Sequence, residues 1–141
     1  MKKIVVIGVG LIGGSFALDI KRVYKDAVIY GVDESDMHLD EALELQVIDK
    51  KAELNEISNA DLVIVSIPVD ATVKHISKVL DLVSDTTLVI DVGSTKEAIC
   101  EVIDTHKNRR NFLAAHPIAG TEFSGPKAAK QHLFNGKTMI I

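Results

Sequence analysis

Lys3-Ile4-Val5-Val6-Ile7-Gly8-Val9-Gly10-Leu11-Ile12-Gly13-Gly14-Ser15 is the stretch that decides the fold. Ile4 to Ile7 is a short unbroken apolar run rich in β-branched side chains, the pattern of a central parallel strand covered on both faces. Gly8, Gly10 and Gly13 follow at G-x-G-x-x-G spacing. In that motif the first glycine permits a tight turn, the second lets a pyrophosphate approach the backbone, and the third lets helix and strand pack closely. The free N–H groups and positive dipole end of the next helix face the phosphate. A bare glycine motif is common. Here a strand precedes it, an amphipathic helix pattern follows it, and Asp33 stands where a ribose ligand belongs. The stretch therefore predicts dinucleotide binding, with Gly8, Gly10, Leu11, Ile12 and Gly13 as the cofactor-binding turn.

Outward from this turn, strand and helix patterns alternate. Apolar residues at Leu11, Ile12, Phe16, Leu18, Ile20 and Val23 predict a helix over 11–24, with Lys21, Arg22 and Lys25 near its negative end. Residues 28–33 read as a second strand ending on Asp33, and 36–45 as a helix capped by Ser35 or Asp36. Residues 47–58 are irregular, with a brief edge strand near Val47-Ile48. Residues 60–68 form a buried strand stopped by Pro68, and 70–83 a helix with Val73, Ile76, Val79, Leu80 and Val83 on one face. The pattern continues with a strand at 86–91, a helix at 95–106, a strand at 111–115, a short helix at 126–134 and a last strand at 137–141. This alternation predicts an α/β fold, a doubly wound, mostly parallel sheet of the Rossmann type, with 1–141 as one dinucleotide-binding domain.

Composition narrows the class. The chain has 141 residues, enough for one domain that buries about 70% of its unfolded surface. A net charge of −4 argues against nucleic acid or an anionic membrane as the main partner. Cys100 is the single cysteine, which excludes a disulfide framework and a cysteine-based metal site, and no metal is expected. No apolar run reaches transmembrane length, and Met1-Lys2-Lys3 leads straight into a strand the fold needs. The expectation is a reduced, cytoplasmic, soluble domain. The sequence stops at Lys137-Thr138-Met139-Ile140-Ile141, a strand-like run with no turn or polar tail, which predicts a fragment of a longer protein.

Ligands of doubly wound sheets bind at the carboxyl ends of the strands, so the strand ends are read together. A carboxylate at Asp33 accepts hydrogen bonds from the adenosine ribose hydroxyls and repels a 2′-phosphate, favouring NAD over NADP. The plainer alternative is a helix-capping Asp. Ser66, Ile67 and Pro68 end the strand beside the glycine turn and pass close to the nicotinamide ribose, or simply terminate the strand. His116 differs from His38, His75, His106 and His132, which fall in or near predicted helices. It sits at a strand end in the loop His116-Pro117-Ile118-Ala119-Gly120-Thr121-Glu122-Phe123-Ser124-Gly125-Pro126. Loops of small residues on a rigid scaffold commonly carry function, and imidazole suits proton transfer near neutral pH.

Together, Gly8-Val9-Gly10-Leu11-Ile12-Gly13-Gly14-Ser15, Asp91-Val92-Gly93-Ser94-Thr95-Lys96 and His116-Pro117-Ile118-Ala119-Gly120-Thr121-Glu122 resemble the prephenate dehydrogenase family of tyrosine biosynthesis. The histidine run, spaced after the D-x-G-S-x-K run, is the specific part, and the resemblance covers the whole chain in order. It implies NAD-dependent oxidative decarboxylation of prephenate to 4-hydroxyphenylpyruvate. It makes His116 the group that draws the proton from the ring hydroxyl, and Ser94 the group that orients it. Glu122 corresponds to an acid that gates or polarises the site, and Thr121 to a substrate contact. Lys96 either neutralises charge near the crevice or is structural. The resemblance further implies a helical domain, absent from this chain, that forms a homodimer and supplies a substrate-binding arginine. Two other readings stay open: an arogenate or cyclohexadienyl dehydrogenase, and a non-catalytic NAD-binding module.

Overall fold

Val5 and Val6 have no exposed surface, because their strand runs through the middle of a six-stranded sheet. The computed structural model describes residues 2–141; Met1, part of the expected uncleaved N-terminal run, lies outside the described residues. Strand β1 (Lys2–Ile7) leads through the glycine turn into helix α1 (Leu11–Val23), then β2 (Ala27–Val32) and α2 (Asp36–Glu44). A two-residue edge strand β3 (Lys50–Lys51) precedes β4 (Leu62–Val65), α3 (Val69–Leu82) and β5 (Leu88–Asp91). Helix α4 (Glu97–Ile103) and β6 (Phe112–Ala114) complete the sheet. The order is β3-β2-β1-β4-β5-β6 with every pairing parallel, so the expected doubly wound Rossmann architecture is the observed one.

Alternation along β1 builds a core on each face of the sheet. Val5 and Ile7 pack with Ile76, Leu80, Ile99 and Ile103 from α3 and α4. Ile4 and Val6 pack on the other side with Ala17, Ile29, Leu39 and Ile48. Burying each such side chain stabilises the fold by about 2 kcal/mol relative to exposure. Ser35 is the cap of α2, its hydroxyl accepting the His38 N–H at 3.3 Å. Among the described residues no helix is long and apolar enough to cross a membrane.

Three expectations are corrected. The edge strand is Lys50–Lys51, not Val47-Ile48. After a left-handed turn at Gln46 (φ 56°), the N–H groups of Val47 and Ile48 both donate to the Ala42 carbonyl, and the two side chains plug the core under α2. Pairing with β2 follows only once Asp49 exchanges hydrogen bonds with Ile29. Second, the helix expected at 126–134 is a single 3₁₀ turn, Pro126–Ala128. Beyond it the Lys130 and His132 N–H groups bond to Ser15 and Asp19 of α1 rather than within a helix, and His132 has φ 62°. Third, the strand expected at 137–141 does not join the main sheet. Its residues Met139–Ile140 (β8) pair antiparallel with His116–Pro117 (β7) in a separate two-stranded ribbon.

Candidate active site

The parallel register brings the carboxyl ends of β2, β1, β4, β5 and β6 to one edge of the sheet, in that order. Asp33 follows β2, the glycine turn follows β1, Ser66-Ile67-Pro68 follows β4, Ser94 lies beyond β5 and His116 just beyond β6. At about 4.8 Å per strand, β2 and β6 stand roughly 19 Å apart, a span suited to an extended dinucleotide lying across the edge. The strand order reverses at β1 and β4, so the glycine turn and Ser66 flank the switch point.

The glycine turn is held from both sides. Gly8 has φ +91°, and a Cβ on it would stand 2.7 Å from the Ser66 carbonyl oxygen. A Cβ on Gly13 would stand 2.1 Å from the Gly8 carbonyl oxygen and 2.2 Å from Ser66 Oγ, so α1 starts in contact with β1 and β4. The Ser66 hydroxyl donates toward the carbonyls of Gly8 (2.7 Å) and Ile7 (3.1 Å), clamping the turn to the neighbouring strand. Gly10 caps α1 with no side-chain hydrogen bond, which leaves the first N–H groups of α1 available to an anion. Among the described residues, its chain neighbours aside, no atom comes nearer than 4.0 Å to the place a Gly10 Cβ would take. This open cradle of donors fits a pyrophosphate.

Asp33 is both a ribose-ligand candidate and a structural brace. One carboxylate oxygen accepts the Val9 N–H from the glycine turn at 3.0 Å, and the other accepts the Ser35 N–H at 3.0 Å. His38 Nδ1 lies 3.4 Å from the second oxygen. Two carboxylate oxygens offer about four acceptor positions, so hydroxyls can still be received at this largely buried group. The helix-capping reading of Asp33 is corrected: Ser35 caps α2, and Asp33 instead ties the glycine turn to the residue at the cap.

At the other end of the edge, β5 and β6 are adjacent and the Ala115 N–H donates to the Asp91 carbonyl at 2.9 Å. That contact sets the start of the histidine loop beside the Ser94 loop. Pro117 is buried and His116 partly exposed, held in register opposite Ile140. Ser94 is exposed, and among the described residues no hydrogen bond joins it to His116. Thr121 and Glu122 lie farther along the loop and are exposed; the Thr121 hydroxyl accepts the Phe123 N–H at 3.2 Å. They line a cavity of about 750 Å³ with Phe123, Ser124, Lys127 and Lys130, rather than closing on the imidazole.

Sequence reasoning missed the role of Asp91, which is fully buried and accepts the Gly93 N–H at 3.0 Å and the ammonium of Lys96. The D-x-G spacing is the signal for it: an Asp accepting from the N–H two residues on is an Asx turn. Lys96 is therefore tied to the loop that presents Ser94. Among the described residues no group of three His, Cys, Asp or Glu side chains is placed to hold a metal ion.

The family model for "Prephenate dehydrogenase, nucleotide-binding domain" matches residues 16–141. Prephenate dehydrogenase of Bacillus subtilis is 37% identical over 142 residues, covering 98% of this chain and 38% of that protein. Arogenate dehydrogenase of Synechocystis superposes with a TM-score of 0.86 at 30% identity, over 97% of this chain and 48% of that one. Prephenate dehydrogenase from A. aeolicus, in complex with hydroxyphenyl propionate and NAD+, superposes with a TM-score of 0.83 at 28% identity, over 99% of this chain and 49% of that one. The chain spans about two fifths of the length of the curated prephenate dehydrogenases it matches.

Proposed function

The chain belongs to the prephenate dehydrogenase nucleotide-binding domain family, and from that premise we propose that it is the NAD-binding, proton-handling part of an enzyme that oxidatively decarboxylates prephenate to 4-hydroxyphenylpyruvate. The observation that carries the proposal is the placing of His116 and Ser94 beyond adjacent strand ends, on the edge that also bears the glycine turn and Asp33. NAD, bound across that edge, supplies the acceptor for the hydride leaving the ring carbon.

The chain's own residues handle the rest. Leu11, Ile12 and Gly13 offer backbone N–H groups to the pyrophosphate, and Asp33 accepts from the adenosine ribose. Ile67 and Pro68, the cap residue before α3, border the nicotinamide ribose. His116 accepts the proton of the ring hydroxyl as a carbonyl develops there, a transfer worth about 10²- to 10⁴-fold in rate. Ser94 orients hydroxyl and imidazole. Loss of the ring carboxylate as carbon dioxide leaves a phenolate oxygen, and the proton held by His116 returns to it. No net proton is released. Thr121, exposed farther along the loop, is the substrate contact, and Glu122 the acid that gates or polarises the site.

The chain spans 38% of the relative from B. subtilis, and substrate-carboxylate binding and dimer formation are assigned to the part of such an enzyme that this chain does not span. Ile118 and Phe123 in the histidine loop, and Met139 and Ile140 on the ribbon, are exposed apolar side chains of the kind found where a surface packs against further protein. A second reading, arogenate as substrate, is favoured by the likeness to the Synechocystis enzyme. NADH formation by the protein from its full reading frame, with prephenate and arogenate side by side, separates the two. Replacing His116 by Asn is expected to lower turnover by about 10²-fold or more while NAD affinity stays nearly intact. An unchanged rate removes His116 from the mechanism.

A further inference from the structure

The histidine loop does not end at the catalytic edge. It returns across the start of α1, and its return is heavily anchored. Ser15, fully buried in the first turns of α1, donates to the Leu11 carbonyl at 2.6 Å and accepts the Lys130 N–H at 3.0 Å. Asp19, one turn on, accepts the His132 N–H at 3.0 Å. Phe134 stacks on Phe16 with ring centres 4.2 Å apart. Ala129 packs so closely on Gly14 that a Cβ there would stand 2.6 Å from the Ala129 methyl. On the other side Lys127 bonds Glu41 of α2 at 2.9 Å, a contact that raises the lysine above its ordinary value. One strap thus spans the two helices whose N-termini border the nucleotide edge.

At the head of the strap stands Gly125. Among the described residues, chain neighbours of Gly10 aside, the Gly125 nitrogen is the atom that comes within 4.0 Å of the place a Gly10 Cβ would occupy. Its backbone has φ 78° and ψ 177°, a conformation essentially restricted to glycine. Its carbonyl accepts the Ala128 N–H at 3.2 Å. Among the described residues its own N–H has no protein acceptor.

We infer that residues 124–130 form the second wall of the nucleotide site, with the Gly125 N–H donating to the pyrophosphate from the side opposite the glycine turn. The inference rests on the proposed NAD site and adds a ligand to it. It gives the glycine at 125 a reason: a backbone that other residues rarely adopt brings this nitrogen beside Gly10 just before Pro126 starts the anchored turn. It also couples the two halves of the reaction, because the loop that bears His116 is continuous with the wall that senses the cofactor.

The test is hydrogen exchange and binding with NAD, ADP and adenosine as probes. Saturating NAD and ADP are expected to slow exchange of the Gly125 amide by tenfold or more, and saturating adenosine to leave it unchanged. Gly125→Ala is expected to weaken NAD and ADP binding by about tenfold or more, the value of one charge-assisted hydrogen bond. Protection at Leu11 and Ile12 without protection at Gly125 overturns the inference and leaves the NAD reading standing. Absence of protection at both walls overturns the inference and the NAD reading together. The exchange measurement uses the unaltered protein, so it decides the matter even where Gly125→Ala fails to fold.

Discussion

The Lys96 ammonium closes on the carboxylate of Asp91, a side chain with no exposed surface at the end of β5. Asp91 also takes the Gly93 N–H, so one carboxylate holds both ends of the short loop that presents Ser94. A buried charge left without its partner is strongly destabilising. Lys96→Met is therefore expected to lower stability by about 3 kcal/mol in a urea titration, and to reduce turnover more than NAD affinity. A loss below about 1 kcal/mol would class the pair with exposed salt bridges.

Gly13 and Gly10 separate two roles that the glycine motif combines. A Cβ at Gly13 meets the Gly8 carbonyl oxygen at 2.1 Å, whereas the nearest atom to one at Gly10 is 4.0 Å away. Gly13→Ala forces helix and strand apart and is expected to destabilise the ligand-free protein by about 3 kcal/mol or more. Gly10→Ala is expected to leave the melting temperature within a few degrees and to abolish measurable NAD binding. Equal melting temperatures for the two variants would refute this division.

These positions also show how far residues report on a fold. The strand, turn and helix of residues 3–15 were legible because a buried parallel strand demands an apolar run and the turn demands glycine. The positions of Asp33 and His116 at the carboxyl edge were legible because each follows such a run. Val47 and Ile48 misled because β-branched side chains serve a core plug as well as a strand, while the true edge, Lys50–Lys51, has the charged side chains that suit an exposed margin. The strap was illegible for a different reason. Its structure comes from bonds to Ser15 and Asp19, more than a hundred residues earlier, and no local pattern encodes them.

Asp33 is expected to discriminate between cofactors and to brace the turn at the same time. In Asp33→Asn the negative charge that repels a 2′-phosphate is gone, so the preference for NAD over NADP narrows. The amide has one acceptor oxygen where the carboxylate has two, so either the Val9 or the Ser35 N–H loses its partner. The variant should lose about 1 to 3 kcal/mol of stability. Parallel titrations with NAD and NADP, beside a urea curve, read both effects. An unchanged affinity ratio would leave Asp33 as a brace alone.

The ribbon of His116–Pro117 with Met139–Ile140 gives the last expectation. His116 stands opposite Ile140, and the Ile118 N–H donates to the Thr138 carbonyl at 2.8 Å, so a segment more than twenty residues on holds the backbone that bears the imidazole. Proline at position 140 disturbs that pairing, since it lacks an N–H and fixes its own φ. Ile140→Pro, made in the protein from its full reading frame, should lower kcat about tenfold or more through misplacement of the imidazole. The affinity for NAD should hold, because the glycine turn and Asp33 are at the other end of the edge. A variant that loses NAD binding and turnover in the same proportion would show instead that the ribbon supports the whole site.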